Sequence, residues 1–297
     1  MLSILLFFSG ICARAINDFL GKNGPQLAAA ISYYALFSLF PLALAIIFGL
    51  SFFLGPSSID DLAQRTADQA PVSKKIVSDV LTGTLTSRSL AGVAGILGLL
   101  WAGTAVFGAI RKGVNATWGI TRPRPFLQER LIDISLMLGA AILMIVSISS
   151  TAILAYMREI LEFITRETAV NSDLIWDRSA SLIPPTLSFI VFTSIYWFLP
   201  NTKIKLIDVL PGAIAATLIF ELIKNVFVLY VGSYSVYSNV YGSVGSIMAL
   251  LTWVYISAIV LLFGSLITYR YTAFNAAQKK QLEDIVEIAR AKLKPEN

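Results

Sequence analysis

The sequence contains no histidine, and its only cysteine is Cys12. A disulfide within the chain is therefore excluded, and metal sites built from imidazole or thiolate lack their ligands. The missing histidine also excludes Ser-His-Asp and Cys-His catalysis. We expect a protein that has no metal, no cofactor and no catalytic residues, and that is not an enzyme.

Charged residues are also scarce. They make up 14% of the 297 residues, whereas hydrophobic residues make up 56% and the mean hydropathy is +0.74. These values depart from those of soluble domains and indicate a membrane protein. The formal net charge of +5 is typical of cytoplasmic loops that contact anionic lipids, and we prefer this interpretation to nucleic-acid binding.

Long apolar segments alternate with polar connections along the chain. Each is long enough to cross about 30 Å of hydrocarbon as a helix. The segments cover residues 28–54, 90–110, 131–156, 180–199, 209–231 and 244–269. We therefore predict an all-α integral membrane protein, in which a bundle of six transmembrane helices forms one domain over residues 28–271.

The distribution of Lys and Arg predicts the orientation of this bundle. Of those outside the apolar segments, 15 lie in the N-terminal segment, the second and fourth connections and the tail, while 7 lie in the other three connections. The positive-inside rule therefore predicts that both termini are cytoplasmic.

Three regions outside the apolar segments have amphipathic patterns. Residues 1–27 predict an interfacial helix on the cytoplasmic side, because apolar residues recur at helical spacing: Phe8, Ile11, Ala15 and Phe19. A cleaved secretory signal is the alternative, since residues 13–15 imitate a cleavage site. In the first outer connection, residues 55–89, the pattern predicts short amphipathic helices. In residues 272–297 it predicts a cytoplasmic tail that contains one short amphipathic helix.

The fifth apolar segment carries polar side chains near its middle. Thr217, Glu221, Lys224 and Asn225 recur at three- and four-residue spacing and so share one helix face. Ionisable groups at membrane depth are costly and mark functional sites by default. This polar stripe is therefore a candidate substrate pathway, and an ion pair of Glu221 and Lys224 that only fixes helix packing is the alternative.

Tyrosine, proline and glycine supply further candidates. Residues 230–243 carry no charge, so they either dip back into the membrane or form an interfacial aromatic belt. We expect these tyrosines along the pathway: Tyr33, Tyr34, Tyr230, Tyr234, Tyr237 and Tyr241. Because proline removes a backbone hydrogen bond and glycine tolerates bending, these residues are candidate hinges or kinks: Pro41, Pro211, Gly212 and Gly242. For Pro41, a kink that only aids packing is the alternative.

The second connection contains a cluster of basic residues. Arg111, Lys112 and Arg130 are candidate contacts for anionic lipid headgroups. The alternative is that these charges only fix the topology.

An ordered set of motifs extends over about residues 18–271: the runs 28–41, 111–118 and 198–201, Pro211-Gly212, Glu221 with Lys224, Tyr230, Tyr234, Tyr241-Gly242 and the run 253–255. This set resembles the YihY/BrkB family of bacterial inner-membrane proteins. The resemblance implies six transmembrane helices in the bacterial plasma membrane, and no established activity. The family usually has an acid where this chain has Leu266, which leaves Glu221 as the expected lone buried acid.

Two classes of function fit these features. We expect a transporter or flippase of a lipid-like or small amphiphilic substrate, with membrane lipids as partners. The alternative is a membrane scaffold or envelope-assembly factor without cargo, for which a second copy of the chain or an envelope protein would be the partner. Family members were once labelled ribonuclease BN, but RNA hydrolysis needs clustered carboxylates or paired acid and base groups, so we expect no nucleic-acid partner.

Overall fold

The computed structural model describes residues 15–53, 88–122, 124–143, 146, 172–232 and 235–292. Regular secondary structure within these residues is entirely helical, as the predicted all-α class requires. The helices are α1 (residues 15–21), α2 (Gly24–Phe53), α3 (Arg88–Thr117), α4 (residues 126–143), α5 (Ser172–Phe198), α6 (Leu206–Gly232) and α7 (Ser235–Lys292). Apart from the start of α3, the short helices predicted for residues 55–89 fall outside the described residues.

Three segments of the described helices are long and apolar enough to cross a membrane. They are Ser181–Phe198 in α5, Leu206–Tyr230 in α6 and Ile247–Val286 in α7. Each of the six predicted segments overlaps one of the helices α2 to α7.

The first helix packs one of its two apolar faces against protein. Ala15 and Phe19 are buried in the bundle, and the rings of Phe19 and Phe263 are nearly perpendicular at a centroid distance of 6.4 Å. Ile16 and Leu20 on the other face remain exposed. α1 therefore packs one apolar face against protein, where the sequence pattern alone suggested that lipid would cover it.

Helix α7 also differs from prediction at both of its ends. It begins at Ser235, inside the segment 230–243 for which the sequence predicts a dip into the membrane or an interfacial belt, and it continues to Lys292. The predicted short tail helix is thus an extension of α7. Because no glycine or proline follows Gly264 until Pro295, the backbone contains no helix breaker at the predicted boundary near residue 270.

Helix α7 is the centre of the described bundle. It packs against α2 and α3 on the N-terminal side of the sequence and against α5 and α6 on the C-terminal side. α2 packs on α3, and α5 packs on α6. The buried side chains of this centre include Tyr196 of α5, Ala216 of α6 and Leu262 of α7.

Two glycines bring α6 and α7 into backbone contact. A Cβ atom placed on Gly212 would lie 2.6 Å from the carbonyl oxygen of Gly264 and would overlap the Thr268 hydroxyl. A Cβ atom on Gly264 would lie 2.6 Å from the Ala216 Cβ. Tyr196 closes this contact from α5, since its hydroxyl donates to the Leu261 carbonyl at 2.8 Å. Small residues are what such close helix approach requires in membranes.

Polar residues from distant parts of the chain meet at one end of the bundle, which we call the polar end: residues 18–23, 111–122, 199–208 and 265–275, together with Arg124. Arg270 Nε donates to Asp18 Oδ2 at 2.6 Å, and Asn275 Nδ2 donates to Asp208 Oδ1 at 2.7 Å. The Lys22 ammonium donates to a carbonyl of α3 and lies 4.6 Å from the centre of the Tyr269 ring. The N-terminal segment, the second and fourth connections and the start of the tail therefore lie at the same end.

The second connection begins with a glycine turn that ends α3. Gly119 has a φ of +69°, in the left-handed region that favours glycine. Its N–H donates to the Ala116 carbonyl at 3.0 Å, and the Ile120 N–H donates to the Asn115 carbonyl at 2.9 Å. This is the Schellman pattern of a helix end.

Beyond this turn, Arg124 and Asn201 join the second connection to the fourth. The Arg124 guanidinium donates to the Leu199 carbonyl at 3.3 Å, to the Pro200 carbonyl at 2.9 Å and to Asn201 Oδ1 at 2.9 Å. The Asn201 backbone N–H donates to Asn115 Oδ1 at 2.9 Å. Burial, and to a smaller degree repulsion from Arg111, lower the pKa of Arg124. Its bonds satisfy carbonyls at the end of α5, which lack helical partners.

The glycine contact predicts the effect of adding one methyl group. Gly212→Ala should lower the free energy of unfolding by about 1–3 kcal/mol, because α6 and α7 must separate to admit the new Cβ. Gly139→Ala is the matched control, since no heavy atom lies within 4 Å of the added methyl and alanine is the better helix former by about 1 kcal/mol. Unfolding of both variants in the same detergent, followed by tryptophan fluorescence, measures the difference. A Gly212→Ala variant as stable as wild type would contradict the contact.

Candidate functional site

Helix α6 has two contrasting faces. Side chains at four-residue spacing are exposed on one face: Ile214, Leu218, Leu222 and Val226. Small or slender residues are buried on the other: Val209, Ala213, Ala216 and Thr217. An apolar face that points away from the protein is expected where lipid is the solvent. The polar stripe lies between these two faces.

Glu221 lies beyond the middle of α6, about 22 Å from the first residue of the helix at 1.5 Å per residue. The Ser188 hydroxyl, on α5, donates to Glu221 Oε1 at 3.1 Å. Lys224 forms an ion pair with Glu221 Oε2. Both carboxylate oxygens therefore have partners, one from the neighbouring helix and one from the next turn of the same helix.

The stripe becomes more exposed along the helix. Thr217 is 7% exposed and donates to the Ala213 carbonyl at 2.8 Å, so its polar group is satisfied inside α6. The side chains of Glu221 and Lys224 are 20% and 33% exposed, and Asn225 is exposed with its amide bonded to the Glu221 carbonyl. The ion pair thus lies at the edge of the interface between α5 and α6, where a molecule in the membrane can reach it.

The predicted pathway tyrosines do not form one lining. Tyr33 and Tyr34 are exposed on α2, which packs on α3 and α7. Their rings contact each other, and the Tyr33 ring also contacts Phe37. Tyr230 lies on α6 beyond the charged pair and is half exposed. Tyr234 and the side chains of Tyr237 and Tyr241 fall outside the described residues. Of the described tyrosines, only Tyr230 shares a helix with Glu221.

The predicted hinges lie within continuous helix. Pro41 is inside α2, Pro211 is inside α6 and Gly242 is inside α7. Gly212 forms the close contact between α6 and α7. For Gly212, tight packing is therefore the role that the geometry shows.

The structure places Arg111 differently from its predicted role as a headgroup contact. Its side chain is 5% exposed, and Nε donates to Asp133 Oδ1 at 3.0 Å while Nη2 donates to Asp133 Oδ2 at 3.3 Å. Nη1 pairs with Glu129 Oε1 at 2.5 Å. Burial opposes the charge of Arg111, but the bonds to Asp133 and Glu129 outweigh it and raise its pKa. The prediction for Arg111 is wrong because its guanidinium is occupied within the protein.

Lys112 and Arg130 remain exposed, so they stay available for headgroups. The Arg130 guanidinium lies 5.3 Å from the centre of the Phe126 ring, which is itself exposed. A cation beside an exposed aromatic ring is common at a membrane interface.

Asp133 and Ser188 are the polar residues that the sequence reasoning missed. Asp133 is fully buried, so Glu221 is not the lone buried acid. The sequence does contain a signal for the pair of Arg111 and Asp133. Asp133 is the third residue of the apolar segment 131–156, and Arg111 directly follows the preceding apolar segment, 90–110. Gly108 marks the same site, since a Cβ there would lie 3.5 Å from Asp133 Oδ2. Ser188 carried no such signal, because serine is common in membrane helices.

Leu266, which stands where the family usually has an acid, is part of the apolar core. Leu266 is fully buried among apolar side chains of the bundle centre. Its neighbour Ser265 is also buried, bonds to the Thr117 hydroxyl at 2.9 Å and accepts from Trp118 Nε1 at 3.1 Å. α7 thus joins α3 through a serine hydroxyl beside a leucine that packs.

The buried pair of Arg111 and Asp133 predicts non-additive mutations. Arg111→Met should cost about 3–5 kcal/mol of unfolding free energy, because it leaves the buried charge of Asp133 unpaired. Asp133→Leu should cost less, because Arg111 keeps its ion pair with Glu129. The double variant should lose less than the sum, since it removes both charges. Denaturant unfolding in detergent measures all three, with Arg130→Met as the exposed control. A double variant that loses the full sum would contradict the pairing.

Comparison with known proteins identifies the family. The family described as Virulence factor BrkB matches residues 15–285. A ribonuclease-like protein named YfkH, from Bacillus subtilis (strain 168), is 30% identical over 82% of this chain and 88% of its own length. A UPF0761 membrane protein of Actinobacillus pleuropneumoniae serotype 5b (strain L20) is 27% identical over 88% of this chain and 92% of its own length. No solved structure matches the chain. The chain belongs to the BrkB family of membrane proteins.

Proposed function

We propose that this protein transports or flips a lipid-like or small amphiphilic substrate in the bacterial inner membrane. The observation that carries the proposal is the ion pair of Glu221 and Lys224, which is partly exposed beside an apolar surface in the middle part of α6. A charged pair at this depth is costly unless protein or a polar ligand meets it. The pair therefore supplies a polar contact for a headgroup inside an otherwise apolar path.

The proposed topology has α2 to α7 as six spans with the polar end in the cytoplasm. The polar end contains eight Lys and Arg residues and two Asp residues, and the positive-inside rule favours the cytoplasm for such an end. Glu221 then lies about 22 Å along α6 from the cytoplasmic side. Substrate would meet it in the hydrocarbon region rather than at either headgroup layer.

In this proposal the Glu221–Lys224 pair alternates between internal pairing and contact with substrate. Ser188 keeps the Glu221 carboxylate oriented at 3.1 Å from α5. Membrane lipids approach along the exposed side chains of α6, such as Leu218 and Leu222. The tyrosines beyond the pair, starting with Tyr230, would line the route towards the outer face.

A scaffold without cargo is the second candidate, and one observation favours it. Both oxygens of Glu221 already have partners from within the protein, as a purely structural ion pair would. Such a scaffold would use the pair to hold α5 against α6. The two candidates differ in whether the protein moves lipid across the bilayer at all.

We propose no enzymatic activity for the chain. Metal-assisted RNA hydrolysis uses clustered ligands, and the described residues hold no group of three His, Cys, Asp or Glu side chains placed to share a metal ion. The description of YfkH as ribonuclease-like belongs to that protein.

The charge of Glu221 is tested by Glu221→Gln, which keeps the size of the side chain but leaves Lys224 without its ionic partner. The rate at which a fluorescent phospholipid crosses the bilayer in proteoliposomes should fall by about tenfold or more, which corresponds to roughly 1.4 kcal/mol. Glu283→Gln is the matched control, because Glu283 pairs with Lys279 at an exposed site on the tail.

The double variant Glu221→Gln/Lys224→Gln separates a transport role of the pair from a packing role, and the wild-type rate separates a transporter from a scaffold. Transport requires the charges, so the double variant should stay as slow as the single one. If the double variant recovers both membrane abundance and the wild-type rate, the pair has a packing role and its proposed part in transport fails. If wild type moves lipid no faster than protein-free liposomes do, the transport proposal itself fails.

A further inference from the structure

The charged pair is electrically isolated within its part of the bundle. The ranges 181–198, 209–220, 222–223 and 225–269 contain no charged residue, and they cover α5 from Ser181, α6 beyond Asp208 and α7 before Arg270. The site that Glu221 and Lys224 form therefore has a net charge of zero. Within these ranges of the three helices, no other group can compensate for an additional charge.

We propose that the site formed by Ser188, Glu221 and Lys224 recognises a net-neutral zwitterionic headgroup that carries both an ammonium and a phosphate. This assignment rests on the transport function proposed above and names its substrate class. A headgroup of this kind brings one charge of each sign, which matches the two charges that the site offers.

Binding can proceed by exchange of partners. Glu221 releases the Lys224 ammonium and accepts the ammonium of the ligand, while Lys224 donates to the phosphate oxygens. The Ser188 hydroxyl stays on Glu221 Oε1, so the carboxylate keeps its orientation. The net charge of the site is zero before and after the exchange, and two ionic contacts replace one.

A net-anionic headgroup does not satisfy the same condition. Its phosphate could displace Glu221 from Lys224, but the carboxylate would then remain charged without a cationic partner. In a medium of low dielectric constant an uncompensated charge is strongly unfavourable, and residues 181–198, 209–220 and 225–269 supply no further cation to offset it. The site thus discriminates by net charge rather than by size.

The test measures headgroup preference separately from flipping. Purified full-length protein is equilibrated with vesicles of equal phosphatidylethanolamine and phosphatidylglycerol, and native mass spectrometry counts the lipids that stay bound. Wild type should retain phosphatidylethanolamine over phosphatidylglycerol by about tenfold, which corresponds to roughly 1.4 kcal/mol. A parallel titration with soluble phosphoethanolamine shows whether the site takes the free headgroup or needs the lipid.

Three variants test whether the lipid preference depends on the net charge of the site. Glu221→Gln leaves a net positive site and should shift the preference towards phosphatidylglycerol. Lys224→Gln leaves a net negative site and should reduce retention of both lipids. The exchanged pair Glu221→Lys/Lys224→Glu is again neutral and should keep the preference for phosphatidylethanolamine. Lys279→Gln/Glu283→Gln, at the exposed tail pair, should change nothing.

The outcomes separate this assignment from the transport proposal. If the ratio of retained phosphatidylethanolamine to phosphatidylglycerol is the same for wild type and Glu221→Gln, the zwitterion assignment is overturned even when flipping is observed. If the preference follows the site charge but no lipid crosses the bilayer, the headgroup assignment holds and the transport proposal fails. Retention of neither lipid nor phosphoethanolamine by wild type overturns the assignment outright.

Discussion

The close approach of α6 to α7 at Gly212 and Gly264 is the contact on which the rest of the described bundle depends. It brings the α6 backbone against α7 and leaves Tyr196 of α5 to close the junction with a hydroxyl bond to the Leu261 carbonyl. Once α5, α6 and α7 are held in this way, the face of α6 that carries Glu221 must lie beside α5. Ser188 can then reach the carboxylate. A packing contact between glycines thereby sets the geometry of a charged site several turns away.

The second constraint is the cost of charge in an apolar environment. Where the structure buries ions, it pairs them fully: Asp133 receives two N–H groups of Arg111, and Glu129 takes another. The pair of Glu221 and Lys224 differs from this buried pair, because the side chain of Glu221 is one-fifth exposed and that of Lys224 is one-third exposed. Buried ion pairs seldom add stability compared with apolar side chains. The exposure of Glu221 and Lys224 therefore directs attention to a ligand, whereas the burial of Arg111 and Asp133 is explained by the joining of α3 to α4.

The sequence predicts the helical class and the polar stripe because both depend on local periodicity. The face shared by Thr217, Glu221 and Lys224 follows from 3.6 residues per turn. Contacts between helices do not follow from a pattern of this kind. Ser188 and Asp133 acquire their roles only when α5 meets α6 and α4 meets α3. Arg111 was misassigned for the same reason, since basic composition alone cannot tell a buried guanidinium from one that faces headgroups. The continuity of α7 through residues 235–243 was missed because uncharged tyrosine, serine and glycine residues suit both loops and membrane helices.

The central claim is that a polar ligand meets Glu221 and Lys224 at the edge of the interface between α5 and α6. Cryo-electron microscopy of the protein in lipid nanodiscs measures this most directly. The account predicts headgroup density within hydrogen-bond distance of Glu221 or Lys224, at the level of Ser188. Acyl-chain density alone along this edge, with the two charged side chains sealed against each other and against Ser188, would contradict it.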